Sequence, residues 1–472
     1  MESNHSEGEP LCASTDQGCA PASPSPLPSK HIHDIPGSGR TFSDHQWTYF
    51  SSLQQGPLHS RAEAFLVSVD WVALGKYAAM KRMGIDCSLL PDIGLGYNHM
   101  VRIIEFTDGV RWVAQLKLPD LDGHYSPEDA LKTKIDCEFH TISLLRQRAQ
   151  LPIPEIHAYE AQSDCSVNAP FMLMDCIEGN VGMDLGMEVP RQYNQSFLSG
   201  LAKIHFQLST IQLLQIGTIV SLNPDGTFKQ GPIPGLGGPF NTATEFFQAW
   251  AAKAKFGLTE ERLRKASGPY AAEIVSSVSS FPESLRQLAS RLSVLDSGPF
   301  PLCHGDFGHN NIIVDDAYQI LSVIDWETAF AGPWEIFGDF PLTLTAVPPA
   351  MDAPWNYNED GSPKDNDLIQ KFADQEYYIA AVVQEEDRNG EETHCLSERL
   401  KDTQRQQLVT AMRLYQTGKA GCTKNLRWAR KVMAQLFEGP IDDDPISPNN
   451  ISIHDPFKTS HSEPAFIFPD TQ

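Results

Sequence analysis

The chain has 472 residues, with 60 acidic against 36 basic side chains, a net charge of −24 and a pI near 4.9. So acidic a chain argues against nucleic acid as a partner, which wants a basic face, and with no apolar run of about 18 residues no membrane span is expected. At 41% hydrophobic and 20% charged residues, it is a globular protein with room for two or three domains.

The nine cysteines are scattered and include no CxxC pair. They read as reduced thiols of an intracellular protein. The opening MESNHSEGEP is acidic and lacks the apolar core of a signal peptide. The expected compartment is the cytoplasm, by exclusion.

Residues 1–40, which contain Cys12 and Cys19, are rich in Ser, Pro and Gly and are expected to be a disordered tail. Residues 41–178 are expected to hold lead-in helices, signalled by Trp47, Tyr49, Phe50, Phe65, Trp71 and Tyr77, and a first lobe. Ile93-Gly94-Leu95-Gly96 precedes two β-rich runs, Met100 to Phe106 and Val110 to Leu118. Asp108-Gly109 between the runs predicts a hairpin. Gly94 and Gly96 would let backbone approach a phosphate, or simply make a turn. In the second run Val113, Gln115 and Lys117 share one face. Lys117 could reach the phosphates of a nucleotide, or snorkel to water.

Ser126-Pro127-Glu128-Asp129 is a helix start. The helix after it buries Leu131, Ile135, Ile142 and Leu145, with Glu138 on the same stripe. A buried carboxylate needs a partner, and a strand lysine is the natural one; the alternative is a stripe-edge position open to water. Two more strands are expected near Glu155–Tyr159 and Phe171–Met174. The second breaks at Gly179, as a hinge between lobes would, with Met174 and Cys176 placed to contact an adenine. Cys176 and Cys303 also lie in apolar runs, where core packing is the simplest reading.

Residues 179–438 read as a helical second lobe. Phe197, Leu198, Leu201, Ile204, His205 and Leu208 follow helical spacing, and His205 on that stripe is expected to be a core histidine. The Gly/Pro-rich stretch 217–240 reads as an irregular excursion. Helices are expected at 243–256, 259–266, 270–279 and 283–294, and from Gly332 to about Gly439 around a polar loop at 351–365. Residues 439–472 read as a flexible tail.

The chemistry concentrates in Cys303–Glu327. Asp306 follows His304-Gly305, Asn311 lies five residues later and Asp325 fourteen beyond that. Ile312–Val314 and Ile320–Ile324, joined by a polar turn, make a hairpin that brings Asn311 beside Asp325. Two oxygen ligands suit Mg²⁺, which keeps sites for phosphate and water. A carboxylate at Asp306 suits an acceptor hydroxyl whose proton must be taken. H-x-D-x-x-x-x-N followed by a distant Asp is the order of the protein-kinase catalytic loop.

On these motifs, with Val113-Ala114, Glu138, Phe171 to Gly179 and Ile324-Asp325-Trp326-Glu327, the chain resembles the aminoglycoside phosphotransferase / choline kinase-like family. The resemblance covers about residues 90–345. It implies an α+β, two-lobed protein kinase-like fold, with a small antiparallel-sheet N-lobe, a larger helical C-lobe and ATP between them. It implies Asp306 as the catalytic carboxylate and Asn311 and Asp325 as Mg²⁺ ligands. Gly94, Gly96, Lys117, Glu138, Met174 and Cys176 would form the nucleotide site, with Glu138 the helix partner of the phosphate-contacting cation. His304 would support the loop from behind, and Trp326 and Glu327 would face the substrate cleft or pack. The family places Arg or Lys after the Val-Ala pair, where this chain has Gln115. Either Lys117 fills that role or the cation is missing.

Two functions follow. One is transfer of the γ-phosphate of ATP to a hydroxyl of a small molecule; the other is a catalytically impaired, pseudokinase-like nucleotide-binding protein. Protein-kinase activity is disfavoured, because no Ala-Pro-Glu segment follows Glu327. The acidic run Gln384-Glu385-Glu386-Asp387 could attract an amine or be a solvated helix face, and Glu335 reads as a structural brace.

Overall fold

The structure, a computed structural model, describes residues 42–119, 128–182, 184–186, 188–267, 271–349 and 356–417. The expected tails at 1–40 and 439–472, the Ser126-Pro127 helix start, part of the 351–365 loop and everything beyond 417 lie outside the described residues.

Two lead-in helices, α1 (Pro57–Ser68) and α2 (Trp71–Lys81), precede strands β1 (Cys87–Leu95), β2 (His99–Phe106) and β3 (Arg111–Lys117). Helix α3 (Glu128–Arg148) follows, then β4 (Ile156–Glu160) and β5 (Phe171–Asp175). The five strands form one antiparallel sheet in the order β1-β2-β3-β5-β4. Strand alternation gives the sheet two apolar faces. One packs Met100, Ile104, Trp112, Ala114 and Leu116 against Phe65, Leu74 and Ala78 of α1 and α2. The other packs Met172 and Met174 against Leu131 and Ile135 of α3. Farther along α3, Ile142, Leu144 and Leu145 join the large cluster of the second lobe, so this helix belongs to both.

The second lobe runs α4 (Arg191–Ser209), β6 (Gln212–Leu213), β7 (Thr218–Leu222), β8 (Phe228–Gly231), α5 (Ala243–Lys253), α6 (Glu260–Ser267) and α7 (Ala271–Leu292). Then come β9 (Phe300–Cys303), β10 (Ile312–Val314), β11 (Ile320–Val323), β12 (Phe330–Ala331), α8 (Trp334–Phe337), α9 (Asn366–Arg388), α10 (Cys395–Lys401) and α11 (Thr403–Thr417). Its core joins Phe197 and Leu201 of α4 to Phe246 and Trp250 of α5, Phe281 and Leu288 of α7, and Met412 of α11. The architecture is the α+β, two-lobed kinase-like fold, with a small antiparallel sheet above a helical body.

Three elements differ from the sequence reading. Strand β1 begins near residue 87 despite Pro91, because it is an edge strand with a register shift between Leu89 and Ile93. The stretch 217–240 is not irregular throughout: β7 and β8 pair across an Asp225-Gly226 turn with Gly226 at φ +80°. Finally, α7 is continuous through Pro282 where two helices were expected. Val278, Phe281, Leu285 and Leu288 are all buried, and that packing outweighs the donor lost at proline.

Candidate active site

The hairpin β10–β11 holds the centre. The backbone N–H of Ile324 donates to the carbonyl of Asn311 (2.9 Å), which sets the last residue before Asp325 against Asn311. The Asn311 amide donates to both the backbone carbonyl and Oδ2 of Asp306, each at 2.9 Å. This spends the amide nitrogen of Asn311 and leaves its oxygen as an acceptor.

His304 is buried and donates from Nε2 to the Ile324 carbonyl (3.0 Å), while its Nδ1 accepts the N–H of Asp306 (3.3 Å). Burial pushes its pKa down to about 4, so it is neutral and braces the loop. Gly305 sits at φ +86°, and a Cβ there would lie 2.5 Å from the Thr328 carbonyl. The turn that aims Asp306 therefore requires glycine.

Asp325 has φ +64°, a strained backbone for a residue with a side chain and one that concentrates at functional sites. Its Oδ1 is buried with no hydrogen-bond partner. Burial first, then Glu327 and Asp306, push its pKa up to about 7. Asp306 is also raised by burial, against the pull of the Asn311 hydrogen bond. Glu138 is buried and accepts the N–H of Trp326 at 3.2 Å. Burial, Asp325 and Glu327 hold its carboxyl well above the usual range, with Lys117 acting the other way. An orphaned buried oxygen beside three further carboxylates is a place built for positive charge.

Lys117 reaches across the lobes to Glu327, with Nζ 2.7 Å from Oε2. Asn98, in the β1–β2 turn, donates to the other oxygen of Glu327 at 3.1 Å. Burial opposes ionisation of Glu327, yet His99, Lys117 and Lys134 pull it down to about 2. His99 is itself lowered to about 4 by burial and Lys117. It is therefore neutral near pH 7, and the lysines are the cations that hold Glu327. Gln115 lies on the same strand face, in register with Met172, but it is Lys117 that enters the cleft.

The other candidates are dispersed around this centre. Gly96 lies in the β1–β2 turn and its N–H donates to the His99 carbonyl (2.9 Å). Gly94 lies within β1 opposite Val101, and a Cβ there would meet the Trp47 ring at 2.7 Å. Met174 is buried against α3, opposite Val113. Cys176 follows β5, its Sγ 4.0 Å from His45 Nε2, and burial pushes its thiol up to about 12.

Trp326 is fully buried and packs. His205 bonds Tyr378 Oη (2.9 Å) and the Phe337 carbonyl (3.0 Å), as a satisfied core histidine does. Glu335 accepts from Ser293 Oγ (2.9 Å) and the Val294 N–H (3.0 Å), and so braces the chain. In the acidic run, buried Glu386 caps α10 at the N–H groups of Leu396 and Ser397 and Glu385 pairs with Arg388. Those two side chains are engaged in structure.

Sequence reasoning missed Lys134 and the partners of Glu327. Lys134 stands one helical turn before Glu138, a spacing that puts both on one face. That was the available signal. Nothing local announces that Glu327 bridges to the other lobe.

The model of the Phosphotransferase enzyme family matches residues 93–336, a span that contains every candidate catalytic, metal-binding and nucleotide-binding residue. A clavilactone A biosynthesis cluster protein Y of Ampulloclitocybe clavipes is 23% identical over 333 residues, 66% of this chain and 74% of that protein. Among solved structures, a candidate aminoglycoside phosphotransferase of Ralstonia eutropha has a TM-score of 0.45 at 14% identity, covering 78% of this chain and 98% of that one. A candidate fructosamine-3-kinase of Thermobifida fusca has a TM-score of 0.43 at 16% identity, covering 76% of this chain and 99% of that one.

Proposed function

This chain belongs to the phosphotransferase enzyme family, and from that premise we propose that it transfers the γ-phosphate of ATP to a hydroxyl of a small molecule, in the cytoplasm. The observation that carries the reading is the convergence of Asp306, Asn311 and an orphaned Asp325 oxygen at the base of one hairpin.

Asn311 and Asp325 would hold Mg²⁺. Among the described residues no group of three or more His, Cys, Asp or Glu side chains forms a cage for a cation. A two-residue donor set is what a magnesium ion takes when phosphate and water complete its shell. Bound there, the ion would neutralise charge on the phosphoryl oxygens. Asp306, fixed by the Asn311 amide, would orient the acceptor hydroxyl and take its proton as the new O–P bond forms and the bond to ADP breaks. Lys117 would contact phosphate, with Glu327 holding it in the cleft beforehand. The β1–β2 turn with Gly96 would cover the phosphates, and the stretch through Met174 and Cys176 would receive the base.

An ATP-consumption screen over amino alcohols, sugars and amino sugars, with Asp306→Asn as the blank, tests this. Failure of the purified protein to bind Mg·ATP refutes it. One observation favours a second reading, a nucleotide-binding protein without turnover: Gln115 stands where the family has a cation, and Lys117 is already paired. Binding of Mg·ATP with no ADP formed on any acceptor would select that reading.

A further inference from the structure

Residues 42–49 belong to neither lobe, yet they touch both. At the hinge, Asn180 donates to the Asp44 carbonyl (2.9 Å) and accepts the Gln46 N–H (2.7 Å). His45 lies against Cys176, with Nε2 4.0 Å from Sγ. Three residues on, the Leu95 N–H of β1 donates to the Thr48 carbonyl (2.8 Å), and Tyr49 bridges Gly94. In the sheet β1 is separated from β5, which feeds the hinge, by β2 and β3. That is about 14 Å of sheet width. The five steps from Asp44 to Tyr49, at about 3.3 Å each, span it, so the segment runs from the hinge to the far edge of the sheet as a strap.

The side of the sheet is also fixed. Gly94 pairs with Val101, Val101 with Gln115 and Gln115 with Met172. Directly opposed residues share a face, and Lys117 lies on that face too. The Trp47 ring covers the bare side of Gly94, so it stands on the face of the sheet that carries Lys117. Along the strap His45, Trp47 and Tyr49 are half-buried, while Asp44, Gln46 and Thr48 are exposed. The rings point inward as a row, with His45 and Trp47 centroids 4.5 Å apart and Trp47 and Tyr49 6.5 Å apart. Inward rings that keep part of their surface open offer a stacking platform to a flat ligand.

We infer that residues 42–49 are a wall of the nucleotide site, with His45 and Trp47 contacting the base of the bound nucleotide. This rests on the nucleotide reading above. It assigns base recognition to a segment ahead of the family-matched residues 93–336.

The test uses the full chain, Mg²⁺ with ATP or GTP, and a ribose-labelled fluorescent ATP. In wild type, tryptophan emission transfers to the bound label. Trp47→Phe should lower that transfer measurably, the remainder coming from the other tryptophans, with Trp326 beside Asp325 among them. His45→Ala/Trp47→Ala should raise the Kd for ATP at least about tenfold and narrow the ATP-over-GTP preference. Unchanged or tighter ATP binding by the double variant, or undiminished transfer in Trp47→Phe, overturns the inference; tighter binding would make the strap a plug. The Trp47→Phe arm stands even if the double variant fails to fold. Failure of wild type itself to bind Mg·ATP sinks the nucleotide reading and takes this inference with it.

Discussion

Replacing Asp325 by Asn should make the metal-free protein more stable, and increasingly so as pH rises. The folded state raises the Asp325 pKa from 3.8 to about 7, so it binds the proton more tightly than the unfolded chain does. Stability contributed by this group is therefore lost as pH climbs from about 4 to about 7, and the loss is constant above that. A shift of this size corresponds to about 4 kcal/mol at full burial. Asp325 keeps some exposure, and screening brings the expected penalty to about 2 kcal/mol. Asn carries no charge, tolerates the positive φ of this position and removes a like charge from beside Glu327. At roughly 2.1 cal/mol/K per residue, the roughly 360 described residues alone make this a gain of about 2–3 °C in Tm. Melting curves in EDTA at pH 5, 6, 7 and 8 measure it. The variant's advantage should be smallest at pH 5, about a third of its full size, and largest at pH 8, whereas MgCl₂ should raise the Tm of wild type only. A variant that melts below wild type at pH 8, or a gap that does not widen with pH, refutes the claim that Asp325 is an uncompensated buried carboxylate.

Asp306→Asn should lower turnover roughly 10²–10⁴-fold with little change in Mg·ATP affinity, read by calorimetry beside a coupled ADP assay. Lys117→Met should weaken Mg·ATP binding about tenfold or more, and Gln115→Lys in that background should recover part of it, because both side chains leave one face of β3; no recovery would mean that the two positions do not reach one site. Gly305→Ala should cost about 2 kcal/mol or more, since its Cβ would sit 2.5 Å from the Thr328 carbonyl at φ +86°, and its denaturant midpoint should fall accordingly. Glu335→Ala should cost about 2–3 kcal/mol by leaving the Val294 N–H and Ser293 hydroxyl without their acceptor.

The fold class was legible because its signals are local. Alternation in β3, the Asp108-Gly109 turn and the apolar stripe of α3 each span less than a helix length. The closeness of Asn311 to Asp325 was legible for the same reason, since a short hairpin joins them. What escaped was through-space. Glu327 meets Asn98 and Lys117 from the other lobe, more than 200 residues away in sequence, and its own neighbours say nothing of this. The crossing of residues 42–49 was equally hidden, since Trp47 and Tyr49 read as packing residues of a helical lead-in. The β7–β8 hairpin was within reach: Asp225-Gly226 is the same turn signal as Asp108-Gly109, masked by the Gly/Pro-rich stretch around it.

The Lys117–Glu327 pair bears on whether Gln115 condemns the site. Two residues along a strand displace a side chain by about 6.6 Å, a distance the four-carbon stem of lysine can largely cover by leaning back toward the hinge. A flexible cation displaced along the strand needs something to keep it in the cleft, and Glu327 does so at 2.7 Å. The same carboxylate is held by Asn98 from the turn between β1 and β2, so the lysine and the turn share one anchor. In the proposed reaction a phosphate entering between them competes with Glu327 for both, and it offers them the same charge in exchange. Glu327 would then be the occupant of the phosphate position in the free protein, and the cation absent at residue 115 would be supplied from residue 117.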